Sequence, residues 1–148
     1  MITRYTVAID APADLVWAVF TDVERWPEWT ASVSRLVGLD GPDLAVGRRF
    51  EIDQPRMPTL TWQVTEFVPH ASWTWVQRSL GAETVARHRI VQTAEGTTVV
   101  NQELDQSGFV GATVALLMRR MTKRYLAMEA LGLKARSEEL WQRGGAVG

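Results

Sequence analysis

Few side chains in this 148-residue sequence have the chemistry to move a proton near neutral pH, and the two histidines, His70 and His88, come first. His88 lies in a run from Val85 to Thr93 that alternates polar and apolar residues, and a second alternating run, Thr97 to Asp105, follows a turn centred near Ala94-Glu95-Gly96. Antiparallel pairing about that turn sets His88 opposite Gln102, Ile90 opposite Val100 and Ala86 opposite Leu104 on one face, with Arg87 opposite Glu103 on the other. The first face is apolar except for His88 and Gln102. Buried polar groups need partners, so this pair either bonds with Tyr125 of a later helix as a structural network or awaits the oxygen of a ligand. In the second case His88 is the candidate general acid/base, and Gln102 and Tyr125 orient a ligand carbonyl.

An aromatic wall accompanies that pair. Trp62, Val64, Trp73 and Trp75 share strand parity, and a hairpin at Leu80-Gly81 brings Trp73 and Trp75 beside His88 and Ala86. The chain has seven tryptophans, more than packing requires, so some are expected to line a space. The candidate lining is Trp62, Trp73, Trp75, His88, Ile90, Val100 and Gln102 from strands, with Leu117, Met121 and Tyr125 from the helix. Such a set describes a small-molecule pocket, and it also describes a well-packed core.

Other chemistry is sparsely represented. There is no glycine-rich phosphate loop, no Ser-His-Asp candidate and no metal-spaced cluster of His, Asp and Glu, and His70 falls in a hairpin turn, so neither a metal nor a cofactor is expected. The absence of cysteine excludes disulfides and thiolate chemistry. A formal charge of −1 gives no global attraction to nucleic acid, and no run of about 18 apolar residues would allow stable membrane insertion. The expectation is a soluble cytoplasmic protein whose partner is a small hydrophobic ligand. The cluster Arg119, Arg120, Lys123, Arg124 either meets phosphates or a membrane surface or is the solvated side of a helix; the second is favoured because no aromatics interleave it.

The elements that must position these residues follow from periodicity. Alternation marks strands at Ile2 to Ile9, Val33 to Leu39, Arg48 to Asp53, Leu60 to Val68 and Ser72 to Ser79, ahead of the two already described. Pro12 opens a helix with Leu15, Val16, Val19 and Phe20 on one face, and a shorter one runs from Asp22 to Trp26, ending at Pro27. Phe109 to Trp141 reads as one long amphipathic helix, capped by Ser107, with Val110, Val114, Leu117, Met121, Tyr125, Met128 and Leu131 as its core stripe. Leu126 and Leu133 lie off that stripe and suggest a seam for a homodimer. The whole predicts an α+β domain, residues 1–143, in which a seven-stranded antiparallel sheet wraps the long helix, followed by a flexible Gly-rich tail at 144–148. In Trp26-Pro27-Glu28-Trp29 the tryptophans either form a lid over a cavity mouth or seal the short helices against the sheet, and sealing is favoured.

Several short motifs carry a family likeness. Ile9-Asp10-Ala11-Pro12, Val16-Trp17 and Asp22-Val23-Glu24-Arg25-Trp26-Pro27-Glu28-Trp29 resemble the N-terminal signature of the polyketide cyclase/dehydrase-like branch of the SRPBCC superfamily. Val46-Gly47, Val64-Thr65-Glu66 with Pro69, Gly96-Thr97-Thr98-Val99 and Leu133-Lys134 are similar to its later landmarks. The resemblance implies a START-like helix-grip fold, a seven-stranded sheet gripping the C-terminal helix around a cavity for apolar ligands. It does not imply one activity, because members bind lipids, sterols or hormones, cyclise polyketides, or act as protein partners. The leading expectation is binding of a lipid-like or polyketide-like ligand between sheet and helix. The alternatives are a cyclase, aromatase or dehydratase using His88 as general acid/base, and a protein-interaction module.

Overall fold

The computed structural model describes residues 1–79, 81–93, 96–108, 113 and 116–144. Seven strands form a single antiparallel sheet: β1 (Ile2–Ile9), β2 (Arg35–Gly38), β3 (Arg49–Asp53), β4 (Leu60–Val68), β5 (Ser72–Ser79), β6 (Ala82–Gln92) and β7 (Thr98–Ser107), in the order β1-β7-β6-β5-β4-β3-β2. From β2 to β7 each strand pairs with the next, as short connections favour, and β1 closes the row by pairing with β7 from Ile2↔Asp105 to Ile9↔Thr98. Helix α1 (Ala13–Thr21) and a 3-10 helix (Val23–Glu28) separate β1 from β2, and a long helix, α2 (Arg119–Gln142), follows β7 and packs against β1 and α1. Pro27 lies inside the 3-10 helix and does not end it. No described helix is long and apolar enough to cross a membrane.

The β6–β7 register agrees with the sequence pattern: His88↔Gln102, Ile90↔Val100, Ala86↔Leu104 and Arg87↔Glu103. Trp73↔His88 and Trp75↔Ala86 follow on the other side. Because paired residues share a face, a transverse row runs Tyr5, Gln102, His88, Trp73, Phe67 from β1 to β4 across the interior of the sheet. The irregularity between Val64 and Glu66 in β4 inserts a residue there, the kind of bulge that bends a strand and increases its twist. The turns assigned to Leu80 and to Ala94-Glu95 lie outside the described residues, as do Phe109, Val110, Val114 and the tail at 145–148.

Helix α2 differs from the predicted one in both start and facing. Ser107 ends β7 instead of capping a helix, and α2 begins at Arg119 after a turn at Met118, with Leu116 and Leu117 helical before it. Its buried residues are Leu126, Glu129, Ala130, Leu133 and Ser137, whereas Leu117 is 79% and Leu131 51% exposed. Leu126 and Leu133 therefore belong to the interior and form no outer seam. Close approach explains the register: a Cβ on Gly132 would stand 2.1 Å from the Trp29 carbonyl oxygen, so the helix seats where its side chains are small, at Ala130, Gly132 and Ser137. The larger Met121, Tyr125 and Met128 are left half-buried on a flank. The C-terminal half is further tied down by Lys134 Nζ donating to the Ala8 carbonyl at 2.9 Å, Asp10 N–H donating to Glu138 at 2.8 Å and Arg136 pairing with Glu28 at 2.6 Å.

Candidate ligand cavity

A cavity of about 310 Å³, partly open to solvent, lies between the sheet and the N-terminal half of α2. Its walls are the aromatic and aliphatic side chains Trp26, Val33, Ile52, Leu60, Trp62 and Trp75, and its roof comes from Met118, Met121, Tyr125 and Leu126. Polar groups converge at one end, where His88, Gln102 and Glu129 meet, while Gln77, Thr84 and Gln106 lie along the strands.

Of the residues singled out in the sequence, Trp62, Trp75, His88, Gln102, Met121 and Tyr125 border this cavity. Four do not. Trp73 is wholly buried behind His88, its ring stacked on the imidazole at 4.0 Å and 12°. Ile90 and Val100 belong to the solid half of the core, with Val16 and Phe20 of α1 in the same cluster, and Leu117 points to solvent. Trp26 takes the sealing role weighed for the Trp-Pro-Glu-Trp stretch, and it borders the cavity as wall and not as a lid. It is 2% exposed and packed, stacked on Phe20 at 5.7 Å with its indole N–H donating to the Phe20 carbonyl at 2.9 Å, and its surface also forms cavity wall. Trp29 packs half-buried against the core. Arg119, Arg120, Lys123 and Arg124 are exposed, as the solvated side of α2. His70 occupies the β4–β5 turn with φ +62°, beside exposed Asp14 at 3.7 Å. Among the described residues no group of three or more His, Cys, Asp or Glu could hold a metal.

The expected His88–Gln102–Tyr125 network is replaced by three separate bonds. His88 Nδ1–H donates to the Trp73 carbonyl at 3.2 Å, which leaves Nε2 as the acceptor nitrogen. Burial lowers the His88 pKa to about 3, so the ring is neutral near pH 7; its bond to Trp73 opposes that shift only in part. The Tyr125 hydroxyl donates to the Pro55 carbonyl, away from the pair. Gln102, 2% exposed, donates from Nε2 to Glu129 Oε1 at 2.5 Å, and its own Oε1 is buried with no partner.

Glu129 is the polar residue that the sequence pattern did not bring forward. It is buried, and the loss of hydration raises its carboxyl pKa to about 8, with the Gln102 bond pulling the other way. It is therefore a neutral carboxylic acid at pH 7. Its signal in the sequence is the series Leu126, Ala130, Leu133, Ser137, which has the same three-and-four spacing as the stripe of larger residues and contains Glu129 within its span.

A family model described as "Polyketide cyclase / dehydrase and lipid transport" matches residues 2–138. The chain belongs to this family. Its fold is the helix-grip of the SRPBCC superfamily, the arrangement expected from the motif resemblance. Among solved structures this polyketide cyclase/dehydrase family member is similar to the Zhui aromatase/cyclase from Streptomyces sp. R1128, with a TM-score of 0.77 and 14% identity over 95% of this chain and 94% of that one. A START superfamily protein from Mycobacterium smegmatis aligns with a TM-score of 0.72 and 19% identity, covering 94% of this chain and 98% of the other. Norcoclaurine synthase from Thalictrum flavum, in a complex with a transition-state analogue, gives 0.74 and 12% over 94% of each chain. At these identities the likeness is one of fold. The search of curated proteins returned no match.

Proposed function

We propose that this family member holds a small, largely apolar ligand in the cavity between the sheet and α2. The observation that carries this is a space of about 310 Å³ walled by Trp26, Trp62 and Trp75, with His88, Gln102 and Glu129 among the few polar residues on its lining. A packed core would close such a space. Aromatic walls supply apolar contact area and a few polar groups fix orientation, which is how small-molecule sites are usually built. Native mass spectrometry of the purified chain, followed by extraction and identification of bound species, tests the proposal directly. A saturable quench of tryptophan emission by an added apolar ligand is the expected companion result. A chain that carries nothing and shows no saturable quench across a chemically varied panel would overturn it.

An acid–base enzyme is the second reading. It is favoured by one observation, that a neutral imidazole acceptor at His88 and a carboxylic acid at Glu129 border the same cavity. Turnover of a bound polyketide-like substrate that falls by about 10²-fold or more in His88→Ala, with binding intact, would establish it, whereas binding without turnover returns the cavity to a carrier role.

A further inference from the structure

We propose that the open rim of the cavity, formed by the start of α2 and the β3–β4 loop, docks on a bilayer surface that carries anionic headgroups. The use of that contact, exchange of an apolar ligand between bilayer and cavity, rests on the binding role proposed above, whereas the contact itself rests on the charge and exposure of the rim. Two segments meet there. Met57 and Pro58 of the β3–β4 loop and Met118, the residue before α2, line the cavity, and Pro58 is exposed at its opening. The Tyr125 hydroxyl, donating to the Pro55 carbonyl, ties the loop to the helix.

Charge is segregated at this rim. The chain as a whole has a formal charge of −1, yet neither 54–59 nor 107–128 contains an Asp or Glu, and Arg56, Arg119, Arg120, Lys123 and Arg124 all lie in these segments. Every one of these cations is exposed, and none makes an ion pair among the described residues. On α2, Arg119 and Lys123 are four residues apart, as are Arg120 and Arg124, a spacing at which like charges repel and weaken a helix. An anionic surface offsets that repulsion. Beside the cations stand apolar side chains that no described element covers: Leu116 is 67% and Leu117 79% exposed, with only Met118 between them and Arg119. Leucines that enter the headgroup boundary, next to long basic side chains that reach phosphates, are the composition of an interfacial segment. A nucleic acid would meet the cations but leave the leucines in water. The contact is peripheral, since no described helix is long and apolar enough to cross a bilayer.

Co-sedimentation with vesicles tests this, comparing phosphatidylcholine alone with phosphatidylcholine in which about a third of the lipid is phosphatidylglycerol. The chain should partition onto the anionic vesicles at least about 10-fold more strongly, and salt at about 0.5 M should remove most of that preference. The double variant Arg119→Glu, Arg120→Glu should bind the anionic vesicles about 10-fold or more weakly, and Leu116→Ser with Leu117→Ser about 10-fold more weakly at unchanged charge. Circular dichroism melts establish that each variant is folded. Equal binding to both kinds of vesicle, or binding that survives both double variants, overturns the docking surface. So does binding of duplex DNA that the leucine variant leaves unchanged while vesicles are ignored, a result that reassigns the cations to nucleic acid. Quenching of tryptophan emission by pyrene in solution reports on the cavity independently, because none of the four substituted residues lines it. A saturable quench without vesicle binding overturns the docking surface and leaves ligand binding standing; vesicle binding without a quench keeps the docking surface and overturns ligand exchange through it.

Discussion

Replacing Glu129 with glutamine should change how the stability of the chain depends on pH, because among the described residues Glu129 is the one buried carboxyl group. In the unfolded chain it ionises near its ordinary value of 4.5, and in the folded chain only near 8. Between those values the native state holds a proton that the unfolded state has released, so stability falls as pH rises, by about 1.4 kcal/mol per unit. His88 acts with the opposite sign. Its ordinary value is 6.5 and its folded value about 3, so within that window the unfolded chain binds the extra proton and stability falls as pH drops. From pH 4.5 to 6.5 the two slopes cancel, and from 6.5 to about 8 only Glu129 acts. The wild-type chain should therefore show a plateau in the mildly acidic range and lose about 2 kcal/mol on going from pH 6.5 to pH 8. Glutamine keeps the shape and a hydrogen-bonding partner for Gln102 but cannot ionise, so Glu129→Gln should remain level above pH 6.5. Urea unfolding followed by tryptophan fluorescence, repeated at closely spaced pH values on both proteins, measures the difference. If the two curves decline in parallel above pH 6.5, Glu129 does not titrate in that window and its burial as a neutral acid is wrong.

Other outcomes follow from the seating of α2. Leu133→Ala should cost about 2–5 kcal/mol in urea unfolding and Leu131→Ala less than about 0.5, since the first side chain is wholly buried and the second half exposed; the reverse order would restore the stripe of larger residues as the inner face. Gly132→Ala should lower stability by about 1–3 kcal/mol, because the new methyl group would meet the Trp29 backbone, and a neutral result would mean that the helix stands farther off. His88→Ala removes the ring stacked on Trp73 and the donor to its carbonyl, and should cost about 1–3 kcal/mol by thermal or urea unfolding; an unchanged midpoint would put the imidazole outside the core.

How far the sequence could be read depended on what fixes each element. A strand has a side-chain period of two, so the polarity of Ala86, His88, Ile90 and their partners leaves a single β6–β7 register that hides the apolar face, and one turn position sets every pair. A helix with apolar residues on several sides has no such constraint. On α2 both the Met121-Tyr125-Met128 series and the Leu126-Ala130-Leu133 series have the right spacing. The choice between them is made by the sheet and the Trp29 backbone, which admit only the smaller one. With the helix turned this way Glu129 enters the cavity and Tyr125 moves to its rim, so the facing of the helix and the membership of the site are decided together. Likewise Trp73 has the correct parity for an inward residue, but parity does not separate the lining of a cavity from the solid core behind it.

The uneven fastening of α2 divides labour along one element. From Ala130 to Glu138 the helix is keyed into backbone and buried surface, with Gly132 against Trp29, Lys134 on Ala8 and Glu138 on Asp10, and most changes there would strain the fold itself. From Met118 to Tyr125 it spans a space, and its half-buried Met118, Met121, Thr122 and Tyr125 line the cavity. Substitutions in that stretch alter the shape of the roof at small cost to folding. Under the proposed binding role, the shape of the ligand site could therefore be retuned in that stretch while the C-terminal turns, and the fold they fasten, stay as they are.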